Sequence, residues 1–155
     1  MPIRVWGSSV LPRLLELSVV PSVMEHMFDE EAVIRVWVPP GWPAVVRPPG
    51  SQGWVRTATS FLLDCCPPDY RGYPVLLKHP VVLARFARQF ASSQLVATQA
   101  NLAGARPDLA GWVETATVNA AVAVLQAEEA RMVRQVRAVS LVEQALRDVR
   151  FIPKL

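Results

Sequence analysis

Of the fourteen prolines in this 155-residue chain, twelve lie at or before Pro80, and only Pro107 and Pro153 follow. Proline removes a backbone donor and its ring clashes with the preceding helical turn. The first half is thereby confined to short elements and turns, while the second is free to form long helices. The boundary falls at His79-Pro80.

Ahead of that boundary, Ile3-Arg-Val-Trp6 recurs as Ile34-Arg-Val-Trp37, each an alternating run of β-formers that reads as a short strand. Between them Leu14, Leu15, Leu17, Val20, Val23, Met24, Met27 and Phe28 repeat at mixed three-to-four spacing, broken at Pro21. A strand, a helical crossover and a second strand would make the two copies parallel neighbours. Val38-Pro-Pro-Gly-Trp-Pro43 and Arg47-Pro-Pro-Gly50 are turn chemistry, and Ala44-Val-Val46 is at most an edge strand. With Ser51 as cap, Trp54, Ala58, Phe61, Leu62 and Cys65 form one face of a helix that Pro67-Pro68 ends. Residues 1–66 are thus expected to form a small sheet with short helices, and residues 67–79 an elbow.

Residues 80–150 read as a helical hairpin. Pro80 suits a first helical position with His79 as cap, and Gly104 is placed to end that helix near Pro107. Asp108 can cap the next, whose face Val118, Val122, Leu125, Glu129, Met132, Val136, Val139, Glu143, Leu146 steps alternately by four and three. This is a heptad seam, as in a coiled coil. A helix from Asp108 to Asp148 would be on the order of 60 Å long. The short connection makes the two helices antiparallel. The predicted fold is one α+β domain over 1–155, predominantly α.

A chain of this length can bury ~68–70% of its unfolded surface and needs no disulfide, metal or cofactor to fold. Its apolar fraction of 52% and mean hydropathy of +0.25 are high for a surface wholly in water, which points to self-association. The charge is +3, yet fourteen of the sixteen basic residues are Arg. With abundant Ala, Val and Pro, that is the codon bias of a GC-rich bacterial genome rather than a phosphate-binding face. The N-terminus lacks the features of a signal peptide, and no run approaches the ~20 apolar residues of a membrane span. Adjacent Cys65 and Cys66 suit a reducing compartment, so a cytoplasmic protein is expected.

The stretch from Asp64 to Pro80 gathers most of the reactive side chains. Cys65 or Cys66 with His79 and Asp64 or Asp69 could form a nucleophile, base and orienter, but no glycine-rich elbow exposes either thiol. Zinc is disfavoured, because two adjacent thiols with His26 and His79 lack ligand spacing. The plainer reading makes Cys65 core, His79 a cap whose ring accepts an N–H of the first turn, and Arg71 a lock on Asp64 or Asp69. A small-ligand site, if there is one, would use Tyr70, Arg71, Tyr73 and His79.

Elsewhere, Trp37, Trp42 and Trp54 between proline turns resemble grooves that take proline-rich peptides, although packing is the more economical role. Arg85, Arg88, Arg131, Arg134 and Arg137 could form a basic patch for nucleic acid. Glu128 and Glu143 stand three and four residues before Arg131 and Arg147, spacings that suit ion pairs on a helix. Glu129 and Glu143 are charges on the seam and must be neutralised or set the register.

These readings favour a non-catalytic interaction or regulatory scaffold, a homodimer joined through Val118, Val122, Leu125, Met132, Val136, Val139 and Leu146. A nucleic-acid regulator and an elbow enzyme stand as alternatives.

Overall fold

A computed structural model of the protein describes residues 36–153, which fall within Arg35–Leu155, one of the two units into which the chain divides. It is predominantly helical. Helix α1 spans Trp54–Asp64, a 3-10 turn Pro68–Gly72, α2 Pro74–Lys78, α3 Pro80–Leu109 and α4 Thr115–Leu146. The last two pack along their length as the expected hairpin.

The described residues contain no strand, and their only β-type pairing is one bridge between Ala110 and Val113. The expected N-terminal sheet is therefore not supported. Val36 and Trp37 are irregular; the rest of that strand, its Ile3–Trp6 copy and the intervening helices lie outside the described residues. Ala44–Val46 is not an edge strand either, because the chain turns there: Val46 N–H donates to the Pro43 carbonyl at 3.0 Å. The Trp42 indole donates to the Val46 carbonyl at 2.8 Å, which closes the loop and leaves Val46 buried.

The turn at Gly41 is fixed by Arg137 of α4, whose Nε and Nη2 both donate to the Pro40 carbonyl at 3.0 and 2.9 Å. A Cβ at Gly41 would meet Arg137 Nε at 2.6 Å, and the backbone φ of +94° is one that L side chains rarely adopt. Glycine is required there on both counts. Ser51 does not cap α1; its hydroxyl turns back to the Pro48 carbonyl, and Gly53, at φ 73°, begins the helix.

The core lies at the base of the hairpin. Leu62, Cys65 and Cys66 from the α1 end join Leu76 of α2, Leu83, Ala84 and Ala87 of α3, and Val139 and Val142 of α4; Trp42 and Trp54 pack against them. Beyond this base the two helices continue as a two-helix arm.

The helix boundaries depart from the expected ones. Helix α3 runs through Gly104 and Pro107 to Leu109, 30 residues in all, and Asp108 belongs to it rather than capping α4. Proline this near a C-terminus forfeits only one intrahelical hydrogen bond. Gly104 lies within the helix, and a Cβ there would meet only the mobile end of the Asp108 side chain, at 2.9 Å from Oδ2. Helix α4, of 32 residues, follows Glu114, so the helices match in length and the seam is covered as far as Val118. Gly111, at φ +83°, makes the tight reversal between them.

The α4 seam falls where the heptad spacing put it: Val118, Val122, Met132, Val139 and Glu143 are buried, and Leu125, Glu129, Val136 and Leu146 half-buried. Its counterpart on α3 is a row of small residues. Ala84, Ala87, Ala91 and Ala105 are buried, with Leu95, Thr98 and Leu102 half-buried between them. Large side chains on one helix face small ones on the other, a pairing that lets the two backbones approach closely. Of the seven seam residues expected to join two copies, Val118, Val122, Met132 and Val139 are buried within the single chain, and Leu125, Val136 and Leu146 are half-buried.

Candidate functional site

The elbow is a closed, hydrogen-bonded turn. Tyr70 N–H donates to the Pro67 carbonyl, Tyr73 to Tyr70 and Leu76 to Tyr73, at 3.0 to 3.2 Å. Arg71 reaches back across the proline pair to Asp64, forming the lock expected from the sequence. Both partners are more than half exposed in their side chains or close to it, so the pair adds little to stability. His79 is the residue ahead of α3, but its imidazole makes no capping bond; its carbonyl accepts from Val82 and Leu83 at 2.9 and 3.1 Å. The Val82 N–H that a capping ring would accept is bonded instead to the His79 carbonyl.

Of the four elbow residues, Tyr70 lines a concavity. Its ring makes edge contacts with Tyr73 and Phe86, at 6.1 and 6.0 Å between centroids. With Arg85, Phe86, Gln89, Phe90 and Ser93 it lines an open groove of about 380 Å³. Arg71, Tyr73 and His79 are exposed and do not line it. The groove is hard to see in the sequence because Phe86 and Phe90 stand at the helical spacing of a core-facing stripe, whereas the buried positions of α3 are largely alanines.

Cys65 and Cys66 are free and buried. Burial pushes both thiols up to about 11; for Cys65 the neighbouring Cys66 adds to the effect, and for Cys66 the Arg71 charge opposes it. Thiols held neutral in this way are poor nucleophiles near neutral pH. Among the described residues, no three His, Cys, Asp or Glu side chains gather as metal ligands, and no helix is long and apolar enough to cross a membrane.

Of the five arginines, Arg131 and Arg134 line one open concavity beside Phe61 and Cys65, whereas Arg85 lines the α3 groove. Arg137 holds Pro40. Arg131 grips Glu128 through Nε and Nη2 at 2.7 to 3.2 Å, which holds the Glu128 carboxyl below its ordinary value. Arg88 Nε lies 2.7 Å from Glu143 Oε2, although its N–H is not aimed well enough to count as a hydrogen bond. The carboxylate is buried while the Arg88 side chain is 41% exposed, so the approach is an ion pair partly screened by solvent. Only Arg85 and Arg134 have no such partner among the described residues.

Glu143, 5% exposed, sits between Arg88 and Arg147, the latter at 2.9 Å. Glu129 accepts from Gln99 at 3.0 Å, and Arg106 donates to Asn119 at 2.8 Å nearer the tip. Three polar contacts thus cross the hairpin at successive levels and fix its register.

The largest concavity among those described lies at the tryptophan and proline turns, for which the sequence offered a peptide groove but favoured packing. Trp37, Pro49, Trp54, Asp148, Arg150 and Phe151 wall a cleft of about 590 Å³ where the turn-rich segment meets the end of α4. Phe151 is backed by Trp42, ring edge to ring face at 6.0 Å. Trp37 is 39% exposed. Its sequence signal was the tryptophan and proline cluster; the α4 terminus that completes it lies about a hundred residues away and could not be placed by local pattern.

No protein-family model matches this chain, and neither the curated proteins nor the solved structures provide a match.

Proposed function

We propose that the chain is a protein-interaction domain that pairs with a second copy of itself through the outer face of α3. One observation carries this reading: Phe86, a large aromatic residue, is 46% exposed beside an open groove walled by Tyr70 and Phe90. Val82, Phe86, Phe90 and Ser93 recur at helical spacing on that face, and Val82 is also exposed. An apolar helical stripe that its own chain leaves open is the usual form of a helix-pairing surface.

A two-fold pairing uses the same patch on both copies. An antiparallel crossing near Gln89 sets Arg85 of one copy against Ser93 of the other, away from its like charge. Two hairpins then form a four-helix arrangement whose inner seams remain as they are. The nucleic-acid reading has less support, since Arg88, Arg131 and Arg137 are engaged within the chain. The elbow-enzyme reading has less still, because one of its four residues faces the groove.

Sedimentation velocity over a concentration series tests the proposal. The wild type should sediment as a dimer at high micromolar concentration, and Phe86→Glu as a monomer with unchanged helicity. A wild-type monomer throughout that range would overturn it, as would Phe86→Glu remaining dimeric.

A further inference from the structure

We infer that the cleft between the turn-rich segment and the end of α4 binds an extended, proline-rich peptide carrying a basic residue. Its volume of about 590 Å³ lies within the ~300–1,000 Å³ typical of ligand sites. Three aromatic rings and one proline supply the walls, and an aspartate and an arginine supply the polar points. Trp37 is 39% exposed, while Trp54 and Phe151 are half-buried, Trp54 packed on the core and Phe151 against Trp42.

The chemistry of this lining selects its ligand. A polyproline helix has no internal hydrogen bonds, so its carbonyls project unpaired and its pyrrolidine rings present apolar ridges. Ridges of that kind pack between aromatic walls at little entropic cost, because the ligand is already extended. Trp37, Trp54 and Arg150 all line the cleft, and each carries N–H groups of the kind that bond such carbonyls. Trp42, by contrast, has spent its N–H on the Val46 carbonyl.

Asp148 supplies the selectivity. It forms no ion pair among the described residues, although Arg150 lines the same cleft, and its φ of 61° is the left-handed conformation that glycine normally occupies. A non-glycine residue kept there at a cost to the fold is a candidate for function. Its carboxylate at the cleft wall suits an Arg or Lys of the ligand. The surface is separate from the α3 groove, so the inference stands or falls independently of self-association.

Two synthetic proline decamers, one with a central Arg and one with Glu there, titrated into the full chain and followed by tryptophan fluorescence, test the inference. The Arg peptide should give a saturable change and bind more tightly than the Glu peptide. Trp37→Ala should weaken it at least about tenfold, while Trp112→Ala, altered at the exposed hairpin tip, should bind as the wild type does. Asp148→Ala should retain binding and lose the preference for Arg. Absence of saturation by either peptide at millimolar concentration would overturn the inference, as would binding unaffected by Trp37→Ala, or equal binding of a Gly-Ser decamer bearing the same Arg.

Discussion

At the scale of single residues, two features of the chain run against the stability of its fold. Asp148 occupies the left-handed position after α4, where the Asp148 and Val149 N–H groups donate back to Ala145 and Gln144, each at 3.0 Å. That terminus ordinarily uses glycine, and a negative charge there also opposes the helix dipole. Asp148→Gly should therefore stabilise the protein by about 0.5–1 kcal/mol, read as a rise in the denaturant midpoint at constant slope. A loss of stability would mean that the carboxylate makes a contact worth more than its strain. The second feature is the thiol pair. Burial raises Cys65 and Cys66 from an ordinary 9.0 to about 11. Between those values the unfolded chain has released protons that the folded chain still holds, so stability falls as pH rises through that window and is unaffected below it. Because other groups titrate there too, the informative quantity is the difference from a Cys65→Ala, Cys66→Ala variant. The wild type should lose more stability than the variant across the window, by an amount on the order of 1 kcal/mol or more.

At the scale of elements, the hairpin shows what the sequence makes legible and what it hides. The α4 seam was readable because Val, Leu and Met at heptad spacing carry a strong apolar signal. The α3 seam was not, since its alanines carry little, while Val82, Phe86 and Phe90 one face away carry a stronger apolar signal. Close approach between helices needs small residues on one side, and that demand exists only once the partner is in place. Gly104 and Pro107 misled for a related reason: matching the length of α4 outweighed two local stop signals. Glu143, an anomaly in the seam, was read correctly as a charge requiring partners. Glu143→Leu should cost about 1–3 kcal/mol, discounted from the ~3–5 of a fully buried pair because both arginines are about half exposed. It leaves the Arg88 guanidinium without its carboxylate. Arg88→Leu in that background should recover part of the loss, giving a coupling energy on the order of 1 kcal/mol in a double-mutant cycle. Simple additivity of the two changes would show that the pair does not act as a unit.

At the scale of the whole described unit, the uneven placement of the core sets where the structure opens first. Both concavities are built at the base from segments far apart in sequence, Tyr70 with Phe90 and Trp37 with Phe151. Local patterning therefore pointed to single residues and not to the sites. The large, fully buried side chains Leu62, Leu76, Leu83, Val139 and Val142 also lie at the base. The arm beyond has only Ala105, Val118 and Val122 buried toward its tip, with Val96, Val124 and Trp112 exposed by 65, 62 and 85%. Two helices alone bury one stripe each, and much of the stripe on α3 is methyl groups, so apolar burial per residue falls along the arm. Hydrogen exchange should follow that gradient. Amides of residues 83–91 and 136–145 should exchange only through global unfolding, with the free energy of the whole transition. Those of residues 96–109 and 115–127 should open locally at lower free energy, most readily next to Gly111. The Gln99–Glu129 and Arg106–Asn119 contacts are exposed and restrain register more than they add stability, so Gln99→Ala should steepen the gradient only slightly. Equal protection along the full length of both helices would show instead that arm and base unfold as one cooperative unit.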